Sequence, residues 1–342
     1  MLRIEVTGED LARLRVAPDT DPLWEIVLSL HLLQNRQAAV VFDPWRREVR
    51  AALARSGLTE VTAALTRLSP WAAYFPDFLT PGQGGGGLEE GVEAVLSTPL
   101  RRLSAELSEV YAHGPVPPGV RRLAEGDVGA LERLGRALRA YHSIAVAPYL
   151  PAMRGAVADD RSVRAEAALR GGGAGLLESY GPSVALDAGA LVAAYPVARR
   201  LPLGGRPLTI VPGFFCVVAP VVLADDTLDP VLVHPLGPAP GWLARTRAHG
   251  AAPPPVTQLI GPTRALVLDA LEHPRTTGQL AELLRLTAST ASRHATVLRE
   301  AGLVTSERRG NTVLHRRTPL GDAVMDGGRL GGGAAGVRRG GP

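Results

Sequence analysis

Between Thr287 and Arg317 the sequence sets short hydroxyls, guanidinium groups and a histidine at spacings suited to nucleic acid. Ser289, Thr290, Ser292, Arg293 and His294 fall in a predicted helix, Ala288 to Glu300, that Thr287 caps. Ala291, Ala295 and Leu298 recur at spacings of four and three and form its inward face. The outward N-terminal half is then hydroxyls plus an arginine, donors that reach base edges and phosphates of double-stranded DNA without steric bulk. Arg308, Arg309 and Asn311 follow in a predicted hairpin tip, Glu307 to Asn311, aimed at flanking phosphates or a minor groove. Gly310-Asn311 can supply the positive backbone angles of a tight turn.

The charge balance agrees. Arg285, Arg293, Arg299, Arg308, Arg309, Arg316 and Arg317 stand against Glu300 and Glu307 alone. That local excess is larger than the formal +4 of the whole chain. Arg293 and the tip arginines also have a plain reading as solvated charges, and His294 is open between packing or capping and base contact.

Other chemistry finds little support. Every basic side chain besides histidine is arginine, so a P-loop lysine, a Schiff base and a lysine general base are excluded. Cys216 is the single cysteine, which excludes a disulfide framework, a thiolate zinc site and a CxxC motif within one chain. HExxH and GxSxG are absent, and the run Gly171 to Gly175 does not complete GxGxxG because residue 176 is leucine. Asp159-Asp160 and Asp225-Asp226 are expected in solvated turns. The expectation is a protein that is not an enzyme, with no catalytic residue, cofactor or metal.

The elements that must position the DNA-facing residues read as a helix over Gly261 to Leu271, with Leu266, Val267, Ala270 and Leu271 inward. A second helix, Gln279 to Leu284, is capped by Thr276-Thr277 and buries Leu280, Leu283 and Leu284; Arg285-Leu286 form the turn. After Ala301-Gly302 come strands Leu303 to Ser306 and Thr312 to Arg317. Upstream, helices are predicted over Pro22–Leu33, Trp45–Leu53, Glu60–Leu68, Leu88–Leu96, Leu100–Tyr111 and from Asp127 past Tyr141, with a strand at Leu2–Val6. From Val184 to His234, short apolar runs at Leu208–Val211, Phe214–Val218, Val221–Leu223 and Val231–His234 predict a small β-meander. Trp71, Tyr74, Phe75 and Phe78 stand out where aromatics are only 4% of residues; they serve as core bulk or line a pocket, the core reading being preferred. Trp45 and Trp242 read as core.

The run Leu280 to Gly321 resembles the ArsR/SmtB family of winged-helix repressors. Thr287-x-Ser289-Thr290-x-Ser292-Arg293-His294, Leu298-Arg299-Glu300-Ala301-Gly302-Leu303-Val304, the wing glycine Gly310 and the closing Thr318-Pro319-Leu320-Gly321 carry the resemblance. It implies DNA contacts from Ser289, Thr290, Ser292, Arg293 and His294, with Arg308 and Arg309 in the wing. The metal-binding cysteines of the family's founding sensors would fall at Thr276, Gly278 and Ala281, none of which is a ligand, and Asp322 and Asp326 lack a histidine partner. The longer upstream region is similar to that of long ArsR-like regulators through Leu23-Trp24-Glu25 with Ser29-Leu30, and through Tyr74 to Pro81; that likeness implies architecture but no effector.

The expected architecture is α+β. Residues 1–250 form a mainly helical regulatory or dimerisation domain with a small β-meander, 251–256 a proline-stiffened linker, 257–326 a winged helix-turn-helix, and 327–342 a disordered tail. The N-terminus is charged from Arg3 onward and no run of ~18 apolar residues occurs, so a cytoplasmic protein without a membrane partner is expected. The functional expectation is a homodimeric repressor on a pseudo-palindromic operator in double-stranded DNA, with an unknown small-molecule effector. The alternative is a winged-helix module for protein interaction in a larger assembly.

Overall fold

In the computed structural model, residues 1–81, 86–251, 259–310 and 312–325 are described; of the expected linker 251–256, Ala251 ends a helix and residues 252–256 lie outside the described ones, as do the tail and Asn311. The chain divides into two units, Met1–Thr246 and Arg247–Pro342, and the architecture is α+β.

The first unit opens with β1 (Leu2–Glu5), α1 (Gly8–Arg13) and β2 (Arg15–Val16). Helices α2 (Pro22–Gln34), α3 (Ala39–Arg55), α4 (Thr59–Leu68), α5 (Leu88–Leu96), α6 (Leu100–Val110), α7 (Pro118–Ala124) and α8 (Val128–Ala145) follow. Asp21 caps α2 and Asp127 caps α8, each accepting from backbone N–H groups of the first turn. The heart of this bundle is α2, whose residues Leu23 to Leu32 are all buried. A helix apolar or satisfied on every side belongs in the middle of a bundle.

Next comes α9 (Leu150–Glu178), broken at Gly172, where φ is 58°. The sequence reading did not assign this helix, and it corrects the place of Asp159-Asp160. Both lie within α9, and Asp160 is bonded to Arg164 and lies 3.4 Å from the His234 ring. The Asp225-Asp226 pair does sit in a turn, where Asp225 accepts from Thr227.

The sheet region departs from the expected meander. Strands β3 (Ala185–Asp187), β4 (Ala190–Ala193), β5 (Arg199–Arg200), β6 (Thr209–Gly213), β7 (Val221–Val222) and β8 (Val231–Pro235) form two sheets together with β1 and β2. One runs β3-β4-β1-β5, the other β2-β6-β8-β7, and the latter pairs β2 with β6 and β6 with β8 in parallel. Phe214 to Val218 is not a strand. The cause is visible in burial. Ile210 and Leu232 join a core shared with Leu2, Ile4, Leu191 and Leu177, while Val211 and Val233 join the helical core around Trp24 and Trp45. Parallel strands covered on both faces read as unbroken apolar runs, which a sequence pattern does not separate from an antiparallel meander.

The two motifs of the upstream resemblance tie helices to sheet. Glu25 is buried and accepts the Phe214 and Phe215 N–H groups at 2.6 and 3.0 Å. Asp77, in a short 3-10 turn, accepts from Ala224 and Asp225. Ser29 bonds the Tyr141 hydroxyl. Phe75 and Phe78 are core, as are Trp45 and Trp242, whereas Trp71 is exposed.

Helix α10 (Trp242–Ala251) spans the boundary between the units. The second unit holds α11 (Pro262–Ala270), β9 (Arg275–Thr276), α12 (Thr277–Leu283), α13 (Ala288–Glu300), β10 (Val304–Arg309), β11 (Thr312–Arg317) and α14 (Pro319–Met325). Its own core gathers Val267, Leu268, Leu271, Leu280, Ala291 and Leu298. Two expected inward positions face out: Leu266 and Leu283 are exposed, replaced by Leu268 and Ala281. Burial of adjacent Leu280 and Ala281 rotates the inward face of α12, keeping Leu284 inside it and releasing Leu283.

Candidate nucleic-acid interface

Helix α12 starts at a capping box: the Thr276 hydroxyl accepts from the Gln279 N–H while the Gln279 side chain accepts from the Thr276 N–H. Arg285 then turns the chain with φ 53°, a left-handed conformation unusual for a residue with a Cβ. Thr287 caps α13 by accepting from the Thr290 N–H. Ala291, Ala295 and Leu298 are buried, so the opposite side of α13 faces out as expected.

Ser289, Ser292 and Arg293 are exposed on that helix. The Ser289 and Thr290 hydroxyls bond the Thr287 hydroxyl at 3.0 and 2.8 Å, so the cap threonine preorders both. Each hydroxyl keeps further capacity to donate or accept. Thr290 is half-buried. His294 lies on the flank of α13 rather than its outward centre, also half-buried; burial first, then the charges of Arg293 and Arg264, push its pKa down.

Strands β10 and β11 form an antiparallel hairpin in which Arg309 pairs with Thr312, and Gly310 follows Arg309 with φ 59°. The strand thus runs three residues beyond the expected Ser306, and Glu307, Arg308 and Arg309 belong to it rather than to the tip. Alternation puts the two arginines on opposite faces. Arg308 shares the face of Ser306 and His315, and His315 bonds Thr277 of α12 and Ser306. Arg309 shares the other face with Glu307 and Arg316, and Glu307 grips it through two nitrogens at 3.1 and 3.2 Å. That pairing lowers the Glu307 pKa and raises that of Arg309. Asn311 lies outside the described residues.

Arg317 is tied to Asp322 at 3.3 Å. Arg285, Arg293, Arg299, Arg308 and Arg316 are exposed and have no carboxylate partner among the described residues. Arg285, Arg299 and Arg316 were counted as charge but not singled out as candidates. Arg316 was open to detection, since strand alternation places it opposite His315 across the hairpin.

Three helices, a capped helix-turn-helix and a basic two-stranded wing define a winged helix-turn-helix. Residues 261–306 match the family model described as bacterial regulatory protein, arsR family. The chain thus carries the DNA-binding domain of that family within a longer chain, and is a DNA-binding transcription regulator. No curated protein and no solved structure matches the chain. No helix among the described residues is long and apolar enough to cross a membrane.

Proposed function

We infer that the chain is a cytoplasmic, non-enzymatic repressor that binds a pseudo-palindromic operator as a homodimer. In this reading α13 enters the major groove of each half-site and the hairpin lies on flanking phosphates, with half-sites about one helical turn apart. Ser289, Ser292 and Arg293 reach base edges; Thr290, anchored to the cap, and His294 contact the sugar-phosphate rim; Arg308 and Asn311 approach the backbone beyond. The supporting observation is the set of exposed arginines without acidic partners among the described residues, around a capped helix whose apolar face is buried.

The first unit serves as the regulatory part. A small-molecule effector acts by favouring one arrangement of the dimer, which shifts the DNA-competent population.

Selection of bound duplexes from random DNA, followed by titration at several salt concentrations, tests this reading. Arg293→Ala is expected to cost about 1–3 kcal/mol and to relax base preference, while Arg308→Ala lowers affinity evenly and reduces the salt slope by about one. Arg309→Ala has a smaller effect than Arg308→Ala because Glu307 already holds that guanidinium. No enriched sequence, or a slope indifferent to these arginines, overturns the reading in favour of a protein-docking module.

A further inference from the structure

A cleft of about 720 Å³ lies between α4, α7 and α8 in the first unit. Its volume is within the range of small-molecule sites. Leu65, Leu68, Val120, Leu123 and Leu134 form a buried apolar floor. Ala64 on α4, and Ala130 and Ala137 on the facing α8, stand where longer side chains would close the space.

The rim has the opposite character. Arg67, Arg122, Arg133 and Arg136 line it against Glu60 as the sole acid. Arg133 and Arg136 each have a carboxylate 3.7 Å away, from Asp127 and Glu132. Arg67 and Arg122 have no ion-pair partner among the described residues. The Tyr111 hydroxyl donates to the Arg67 carbonyl at 2.8 Å, fixing the backbone from which that arginine projects.

A floor that excludes water and a rim of uncommitted guanidinium groups complement a molecule with an apolar body and a carboxylate head. We propose that this cleft binds an aliphatic carboxylate, its chain on the leucine floor and its head on Arg67 and Arg122. The site was not legible in the sequence, because its walls come from three helices and its floor reads as ordinary core. It stands apart from the DNA-binding reading, since its ligand is bound by the first unit alone.

The test is calorimetric titration of the full chain with decanoate, decanol and decyltrimethylammonium, all below their aggregation concentrations and without DNA. Decanoate is expected to bind saturably and at least about tenfold more tightly than the other two. Arg67→Gln with Arg122→Gln, both exposed positions, is expected to weaken decanoate about fivefold while leaving decanol unchanged. Ala64→Trp, which fills the mouth from an exposed position, is expected to abolish binding of all three with the melting temperature retained. Equal affinity for the ammonium, no saturable decanoate binding, or decanoate indifferent to Ala64→Trp overturns the proposal. So does an Ala64→Trp effect confined to oligomeric state in sedimentation, which would make the cleft a contact between copies. Failure here leaves operator binding standing, and failure of operator selection leaves the cleft standing.

Discussion

Glu25 shows how a single buried carboxyl group can join two layers of a protein. Burial pushes its carboxyl up to about 8, and the N–H groups of Phe214 and Phe215 only partly offset that rise. The folded chain therefore keeps a proton on Glu25 that the unfolded chain releases from its ordinary value near 4.5 upward. Stability from this residue falls as pH rises through that window and levels off above about 8. Buried His31 works in the other direction: its pKa is pushed down to about 4, so it adds stability as pH rises toward 6.5. Asp77, raised to about 6, has finished its own decline by then. Between pH 6.5 and 8 the decline from Glu25 stands alone, at most ~1.4 kcal/mol per pH unit. Urea unfolding followed by fluorescence of buried Trp24, Trp45 and Trp242 should show it in the native chain and not in Glu25→Gln. An equal decline in the variant would refute this account.

Elements differed in legibility for physical reasons. Leu88–Leu96 and Ala288–Glu300 match the expected ranges, because apolar spacing follows Gly87 in the first and runs between the Thr287 cap and Gly302 in the second. Helix α9 was missed: glycines crowd its last third and its exposed stretch, with Leu169 89% exposed, blurs the apolar period. The parallel pairing was misread because both faces of those strands are covered, and β2 reaches their sheet from the far end of the sequence. Within the winged helix, helix order, caps and the second wing strand were legible; the extent of β10 and the Arg309–Glu307 pair were not, since a charged strand end resembles a turn. Close packing at α14 was equally hidden. A Cβ at Gly321 would stand 2.2 Å from the Leu303 carbonyl oxygen and 3.2 Å from its carbon, both backbone atoms. Gly321→Ala must lift α14 from the start of the wing, at a cost of roughly 1–3 kcal/mol. Gly278→Ala is the control, meeting only the Thr276 hydroxyl at 4.0 Å inside α12, and should stabilise by about 0.5–1 kcal/mol. Amide hydrogen exchange of the full chain checks both: faster exchange at Val304–Arg309 for the first, slower exchange in α12 for the second.

At the scale of the whole molecule, charge is divided between the units. Residues 1–246 carry 24 arginines against 26 acids, a net −2, whereas residues 247–342 carry 13 against 7, a net +6. The mild +4 of the chain therefore hides an acidic unit and a basic one. Each has a hydrophobic core of its own. Attraction to phosphate is a sum over local charge, screened over ~10 Å at 0.1 M salt, so it belongs to the unit and not to the chain average. Residues 247–342 expressed alone should thus fold, retain duplex DNA at low salt, and release it steeply as salt rises. Residues 1–246 alone should leave duplexes unretarded at every salt concentration. On a duplex with a single half-site, the isolated basic unit should match the full chain. For the proposed homodimer joined through the first unit, the full chain should gain on paired half-sites, because the second contact becomes an intramolecular one. Electrophoretic retardation on the two duplexes separates the cases. Equal affinity of fragment and full chain on paired half-sites would show that the acidic unit contributes nothing to pairing, and its role would then have to be sought in ligand binding alone.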